Sequence, residues 1–155
     1  MHGLTGDDEI FGFDRNDKLY GGADDDGLSG GAGNDILNGG GGRDDLTGDT
    51  GADTFRFHLA SESTVFDFDT IRDFSRAEGD KIDLSFIDAN TVLSGNDAFT
   101  LGTAFTGAAG QLVITPTESG QMVQGDVNGD RLADFAFEVR THSSSVPLSE
   151  YDFIF

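Results

Sequence analysis

The strongest constraint on this chain is a nine-residue repeat that runs without interruption from Gly3 to Arg56. In each of its six blocks the first position is glycine, the sixth is aspartate and the eighth is apolar. The glycines are Gly3, Gly12, Gly21, Gly30, Gly39 and Gly48. The aspartates are Asp8, Asp17, Asp26, Asp35, Asp44 and Asp53. The apolar residues are Ile10, Leu19, Leu28, Leu37, Leu46 and Phe55. A flexible glycine- and aspartate-rich linker has no reason to keep an apolar residue in phase six times.

The repeat predicts alternating turns and short strands. Glycine accepts the positive φ that turns require, and three residues centred on the apolar one make a minimal strand. Two repeats then form a coil of 18 residues with a strand on each side, and stacked coils form a right-handed parallel β-roll. The apolar residues would face inward. The sixth-position aspartates would line two edges, one with Asp8, Asp26 and Asp44 and the other with Asp17, Asp35 and Asp53.

Energetics predict that this roll needs cations. Burying one leucine or isoleucine per repeat returns roughly 1.5–3 kcal/mol, whereas ordering each of nine backbones costs roughly 1–2 kcal/mol. Carboxylates on neighbouring strands, about 5 Å apart, repel by roughly 3 kcal/mol at an effective dielectric of about 20. Oxygen-rich, flexible turns favour calcium over magnesium. The sequence therefore predicts a stretch that is disordered without calcium and that binds about four ions or more between stacked turns.

The predicted ligands are all oxygen atoms. They are the six repeat carboxylates together with turn carbonyls of Gly21, Gly30, Gly33, Gly39, Gly42, Gly48 and Gly51. The second block departs most from the consensus, with Phe13 and Arg15 at glycine positions, so we expect sites that use Asp17 to be weak. The consensus resembles the calcium-binding nonapeptide of RTX proteins.

Composition limits the partners of the chain. Its 155 residues include 29 acidic and 9 basic ones, giving a net charge of -20, so nucleic acid and anionic membrane surfaces are poor partners. There is no cysteine for disulfides, and no stretch is apolar enough to insert in a membrane. The start lacks the features of a cleavable signal peptide and falls within a repeat. We therefore expect a C-terminal fragment of a larger protein.

After the repeats, the pattern changes to ordinary strands. Apolar segments around Phe55–Phe57, Lys81–Ser85, Leu112–Ile114, Met122–Val123 and Phe135–Val139 are separated by Gly, Pro or Asn. We predict an all-β chain with a calcium-binding roll over 3–56 and a mainly antiparallel β-rich cap over 57–155. The cap would cover the open end of the roll, since repeat arrays need atypical ends.

Several later motifs resemble the post-repeat region of serralysin-type secreted metalloproteases. They are Thr54–Phe57, Asp69–Phe74, Asp80–Ser85, Asp126–Asp130, Ala133–Phe135 and Asp152–Phe155. The resemblance implies a module that binds calcium, folds outside the cell after type I export and carries an uncleaved secretion signal at its C-terminus. It also implies partners in the type I secretion apparatus and an upstream catalytic zinc domain, and it implies an extracellular location. The same resemblance implies a further calcium site at Asp73 and Asp80. The alternative interpretation of these two residues is a solvated turn without an ion.

The chain carries no convincing catalytic motif. The zinc-protease sequence H-E-x-x-H is missing, because none of His2, His58 and His142 is followed by glutamate or by a second histidine four residues later. Gly27–Gly31 matches G-x-S-x-G only by letters, inside the repeat. We expect a non-catalytic module.

Two alternatives concern binding. Asp126–Asp134 resembles the start of an EF-hand loop, but Arg131 replaces the required glycine, so a hairpin turning at Asn128–Gly129 is favoured. For the whole chain, the alternative function is calcium-dependent binding of alginate, because related calcium rolls occur in alginate-modifying epimerases. The scattered basic residues argue against that alternative.

Overall fold

Two β-sheets run through the whole chain in the computed structural model, which describes residues 1–93, 95–141 and 147–155. His142 lies outside the described residues. The strands are β1 (His2–Thr5), β2 (Glu9–Phe11), β3 (Lys18–Ala23), β4 (Gly27–Ala32), β5 (Ile36–Gly41), β6 (Asp45–Thr50), β7 (Thr54–Arg56), β8 (Asp69–Phe74), β9 (Lys81–Asp83), β10 (Thr100–Gly102), β11 (Gln111–Pro116), β12 (Gln121–Asp126), β13 (Phe135–Thr141) and β14 (Phe153–Ile154). A 3-10 turn over Glu150–Asp152 precedes β14. No helix in the described part of the chain is long and apolar enough to cross a membrane.

The repeats form the predicted parallel roll. One sheet has the order β1-β3-β5-β7-β9-β14, and the other contains β8-β6-β4-β2 at one end. Residues 18 apart are paired, as Leu19 with Leu37 and Leu28 with Leu46. The coil of two repeats and its register are therefore confirmed.

The strands of the central coils are longer than the three residues predicted. β3 to β6 each have six residues and extend into the glycines that begin the next block. Close approach of the coils makes this possible: Gly31 has φ of +100°, and a methyl group there would lie 2.0 Å from the carbonyl oxygen of Phe13. Glycine thus serves the stacking of coils as well as the turns.

A single hydrophobic core joins the roll to the cap. The inward residues of the repeats are fully buried from Leu19 onward, and the core continues into Phe57, Ile71 and Ile82. In the sheets, Ile71 follows Leu46 and Ile82 follows Phe55, so β8 and β9 act as a further coil. Each such side chain contributes roughly 1.5–3 kcal/mol by leaving water.

The cap contains the predicted antiparallel unit together with parallel pairs that the sequence did not indicate. β11, β12 and β13 form an antiparallel meander. β13 then pairs in parallel with β8, β10 with β11, and β14 with β9. Phe57 stacks on Phe137 with ring centroids 4.6 Å apart. The cap is therefore attached through sheet edges as well as through its aromatic core.

The segment Asp126–Asp134 forms the loop of a hairpin, as favoured. Oδ1 of buried Asp126 accepts the backbone N–H of Gly129 at 2.6 Å, and its Oδ2 accepts that of Arg131 at 3.0 Å. Backbone donors of the loop thus compensate the negative charge of Asp126. The second strand begins at Phe135, at the start of the predicted apolar segment.

Candidate metal centre

The repeat aspartates form two columns along the roll. In each column, Oδ1 of one aspartate accepts the backbone N–H of the aspartate one coil earlier. These distances are 2.8 Å for Asp26 from Asp8, 2.7 Å for Asp35 from Asp17, 2.8 Å for Asp44 from Asp26 and 2.8 Å for Asp53 from Asp35. The columns continue past the repeats, with 3.0 Å for Asp69 from Asp44 and 2.9 Å for Asp80 from Asp53.

The second carboxylate oxygen lacks a protein partner in five of these residues. Oδ2 is buried without a hydrogen bond in Asp26, Asp35, Asp44, Asp53 and Asp69, whose residues are at most 3% exposed. A buried unpaired carboxylate oxygen costs several kcal/mol of desolvation. Five of them in one small domain indicate that something outside the polypeptide compensates them.

Carbonyl oxygens share the space into which these atoms point. A methyl group on Gly21 would lie 2.3 Å from Asp26 Oδ2 and 2.4 Å from the carbonyl oxygen of Gly39. A methyl group on Gly30 would lie 2.4 Å from Asp35 Oδ2 and 2.8 Å from the carbonyl oxygen of Gly48. The first glycine of these two blocks therefore leaves room beside two oxygens, one from its own block and one from the next coil.

The remaining predicted carbonyls occupy less uniform surroundings. A methyl group placed on Gly12 would lie 2.2 Å from the carbonyl oxygen of Gly30 and 3.3 Å from Asp17 Cβ, and the carboxylate oxygens of Asp17 are not among its three nearest atoms. A methyl group placed on Gly3 would lie 2.4 Å from Asp8 Oδ2 and 2.5 Å from the carbonyl oxygen of Gly21. The α-carbon of Gly51 lies against the carbonyl of Gly33. The assignment of the repeat aspartates and of all seven glycine carbonyls as calcium ligands remains a prediction, as does the weakness of sites at Asp17.

Burial raises the pKa of the column carboxyls. It raises the pKa of Asp44 to about 6 and that of Asp53 to about 7, against the opposing hydrogen bonds from Asp26 and Asp35 N–H. Burial likewise raises the pKa of Asp26 and Asp35, and neighbouring carboxylates add to the effect. The roll therefore concentrates negative charge where water cannot stabilise it.

Asp73 and Asp80 hold the last repeat turn to the cap. The carboxylate of Asp73 accepts the N–H of Gly48 at 2.9 Å and that of Asp49 at 2.8 Å. Oδ2 of Asp80 accepts the N–H of Ser75 at 2.8 Å, so both of its oxygens have donors. Burial raises the pKa of Asp80 to about 6. Calcium binding by this pair remains a prediction from the family resemblance.

The oxygens gathered here, carboxylates together with backbone carbonyls, are of the kind that calcium binds. Within residues 1–93, 95–141 and 147–155, no group of three or more acidic or histidine side chains could hold a metal ion by itself. Carbonyl oxygens must therefore complete any site. Calcium accepts six to eight oxygen ligands at about 2.3–2.6 Å, with carbonyls among them. The unpaired Oδ2 atoms and the convergent carbonyls supply this kind of ligand.

Fold and site together define a parallel β-roll with two columns of buried aspartates whose second carboxylate oxygens lack a protein partner. The sequence model described as Peptidase M10 serralysin C terminal matches residues 26–155. The model of the RTX calcium-binding nonapeptide repeat matches residues 1–28. The chain therefore belongs to the serralysin C-terminal family and carries calcium-binding RTX repeats.

Two solved structures with similar architecture are subunits of a mannuronan C5-epimerase. The chain is 30% identical to the AlgE6R3 subunit of the Azotobacter vinelandii mannuronan C5-epimerase, with a TM-score of 0.68, covering 96% of this chain and 77% of that one. For the AlgE6R2 subunit of the same epimerase the identity is 27% and the TM-score 0.62, covering 98% and 91%. Comparison with curated proteins gave no match.

Sequence reasoning missed one residue of the columns. Asp69 takes the place of a repeat aspartate after Asp44, although it is 25 residues away instead of 18. The signal was present, because Asp69-Thr70-Ile71 repeats the D-x-apolar pattern of the blocks. The spacing concealed it, since the loop 57–68 replaces the glycine-rich turn.

Proposed function

We propose that this chain is a non-catalytic module that folds when it binds calcium outside the cell and directs type I secretion of a larger extracellular protein. The observation that supports it best is the set of unpaired, buried Oδ2 atoms in the two columns. A chain with these atoms and no cation is destabilised by desolvation and repulsion. Calcium bound only to the folded state converts its binding free energy into folding free energy.

The difference in calcium between compartments gives this coupling a use. Calcium is scarce in the bacterial cytosol and abundant outside the cell. A chain that stays unfolded inside can pass through a secretion channel, and the ions then fold it on the far side. We propose an extracellular serralysin-like metalloprotease as the parent protein and its zinc-containing domain as the upstream partner.

The C-terminal residues fit a role in export before folding. Asp152 is 1% exposed and Phe153 is buried in the folded chain. Phe153 and Ile154 pair with Ile82 and Asp83 as β14. Ile154 and Phe155 stay exposed in the folded chain, so docking of this strand would withdraw only Asp152 and Phe153 from a receptor that reads the C-terminus.

A calcium titration followed by far-UV circular dichroism tests the folding step. We expect a disordered spectrum in excess chelator and a β spectrum after calcium is added, with magnesium at equal concentration as the control. A β spectrum that persists in chelator at neutral pH contradicts the proposal.

Deletion of Phe153–Phe155 tests the export step. Secretion should be abolished, whereas replacement of the exposed loop residue Phe66 by alanine should leave it unchanged. Normal export of the truncated protein would refute the assignment of the signal.

A second candidate is calcium-dependent binding of alginate, favoured by the similarity to the two epimerase subunits. The charges oppose it, since five of the nine basic side chains form ion pairs with acids, namely Arg43, Arg56, Arg72, Arg76 and Arg140. A gel-shift with alginate in calcium, with neutral dextran as the control, separates the candidates. A calcium-dependent shift specific to alginate would support the second.

A further inference from the structure

The eight-stranded sheet ends, at the cap, in a strand whose outer side has no partner in the described part of the chain. That strand is β10, which is the last in its sheet and pairs in parallel with β11. The N–H of Thr100 donates to the carbonyl oxygen of Gly110 at 2.8 Å, so Thr100 directs its backbone groups toward β11. Because successive residues of a strand direct these groups to opposite sides, the N–H and C=O of Leu101 point away from β11. Leu101 can therefore bond a further strand.

The apolar core also stops short at this edge. Leu101 lies opposite Leu112 in the register of the two strands, and residues opposite each other share a face of the sheet. Leu112 is fully buried in the core, whereas Leu101 is 38% exposed. β10 contains no charge and no proline, which are residues that protect sheet edges from pairing. A further strand would bury the remaining surface of Leu101 against the core.

Two cavities border Leu101 along this edge. The first has a volume of about 610 Å³, and its wall is mainly apolar with two hydroxyl-bearing side chains. Its lining includes Leu101, Ile114, Pro116, Thr117, Ser119 and Leu148. The second, of about 480 Å³, is lined by Leu101 together with Phe99 and Phe155. Side chains at alternate positions of a strand point to the same face, so apolar side chains of an added strand would face both cavities.

The charges around the two cavities favour a basic partner. Glu118 lines the first cavity and Glu150 the second, and both are exposed. Neither forms an ion pair within the described residues, and no described lysine or arginine lines either cavity. The whole chain has a net charge of -20. An acidic strand, including one from a second copy of this chain, is therefore repelled.

We propose that β10 accepts an extended peptide segment as an additional strand, with apolar side chains at alternate positions and basic side chains between them. The apolar side chains enter the two cavities, and Glu118 and Glu150 attract the basic ones. The N–H and C=O of Leu101 supply the backbone bonds to the peptide. Since one residue supplies only two such bonds, the cavities provide most of the affinity and the selectivity. This surface lies on the cap and serves a partner that the secretion function does not require.

Fluorescence anisotropy with synthetic peptides tests this surface on the full chain in calcium. The probe is a labelled hexapeptide in which lysine alternates with valine. Lysine alternating with serine is the control that keeps the charge, and glutamate alternating with valine is the control that keeps the apolar side chains. We expect saturable binding of the lysine–valine peptide, and binding of both controls that is at least about tenfold weaker.

Three variants locate the binding. Leu101→Pro removes the outward N–H, and proline at such an edge position leaves the pairing with β11 in place. It should weaken binding of the lysine–valine peptide by about three- to tenfold. Glu118→Lys should weaken it by about two- to fivefold. Asp67→Lys, which changes the charge equally at an exposed residue that lines neither cavity, should leave it unchanged.

Each contrary outcome overturns the proposal. Equal binding of the lysine–serine peptide, or equal weakening by Asp67→Lys, would show non-specific attraction to an acidic chain. Binding that Leu101→Pro leaves unchanged would place the peptide away from β10. A dimer in sedimentation velocity that Leu101→Pro disrupts would show that a second copy occupies the edge. If Leu101→Pro fails to fold in calcium, a lysine–valine peptide with an N-methylated backbone takes its place, and undiminished binding of that peptide would refute strand addition.

Discussion

Gly39→Ala isolates the contribution of a single cation site to the stability of the roll. Gly39 begins the fifth block, and a methyl group there would lie 2.1 Å from Asp44 Oδ2 and 2.5 Å from Asp44 Cγ. The backbone at Gly39 is not in the left-handed region, so its conformation accepts alanine, but the methyl group would also lie 2.6 Å from Asp44 Cβ and the whole Asp44 side chain must shift. The carboxylate of Asp44 must move by about 1 Å to restore an ordinary contact of at least about 3 Å.

This movement has two costs. It weakens the hydrogen bond from the N–H of Asp26 to Asp44 Oδ1, which is 2.8 Å long and buried, at about 1–3 kcal/mol. It also displaces a calcium ligand, and a hundredfold loss of affinity at one saturated site removes about 2.7 kcal/mol. Together they predict about 4–6 kcal/mol in calcium, or a decrease in Tm of about 8–24 °C for a domain of this size.

Gly41→Ala is the matched control. Gly41 lies in the same strand, its backbone is not left-handed, and a methyl group there meets nothing within 4 Å. We expect it to be neutral or to stabilise by about 0.4–1 kcal/mol through the unfolded state. Thermal unfolding by circular dichroism in saturating calcium, with calorimetry of calcium binding, measures both variants. Equal Tm values for the two variants would refute the reasoning.

Three further perturbations probe other parts of the molecule. Asp35→Ala should destabilise the calcium-bound chain by about 2–4 kcal/mol, because it removes a buried predicted ligand and the acceptor of the Asp17 N–H. Asp17→Ala should cost less than about 1 kcal/mol. Chemical denaturation in calcium measures both variants, and equal effects would contradict the expected inequality of the two sites. In excess chelator, lowering the pH from 8 to 5 should increase β content, because burial raises the pKa of Asp53 to about 7, above its unfolded value of 3.8. Because the folded state binds this proton more readily than the unfolded state, burial of the Asp53 carboxylate lowers the free energy of unfolding above pH 7, and this destabilisation disappears as the carboxyl protonates. A circular dichroism spectrum with no more β content at pH 5 than at pH 8 would contradict this prediction. Arg76→Ala removes the ion pair with buried Asp152, in which Arg76 Nε lies 2.6 Å from Asp152 Oδ1. Because the arginine is half exposed, we expect about 1–3 kcal/mol and faster release of the C-terminal residues by carboxypeptidase. Unchanged release would show that the pair does not hold β14 in place.

The periodic part of the chain was the most predictable from sequence. A strict spacing of nine specifies the 18-residue coil, the inward position of Leu19 and Leu37, and the two aspartate columns, because each follows from the repeat alone. The extent of the strands was less predictable, since it depends on contacts between coils, such as Gly31 against the Phe13 carbonyl.

The junction between the roll and the cap was the least predictable part. Asp69 joins a column through a loop of different length, so spacing arguments that depend on 18 residues fail there. The parallel pairing of β13 with β8 joins segments more than 60 residues apart, and nothing in the local pattern of either strand specifies that partner. The hairpin from Gln121 to Thr141 was predictable because Asn-Gly is a local turn signal.

The hydrogen bonds within the aspartate columns all point in one direction along the chain. In every pair, the carboxylate belongs to the later coil and the N–H to the earlier coil, from Asp26 with Asp8 to Asp80 with Asp53. The residues just before the column aspartates bond the other way, since the carboxylate of Asp7 accepts the N–H of Asp25 and the carboxylate of Asp25 accepts the N–H of Arg43. Neighbouring coils are therefore tied in both directions, by buried bonds at the column aspartates and by exposed bonds one residue earlier. Only the buried bonds depend on the cap, because loss of β8 and β9 removes the acceptors that Asp69 and Asp80 offer to the N–H groups of Asp44 and Asp53.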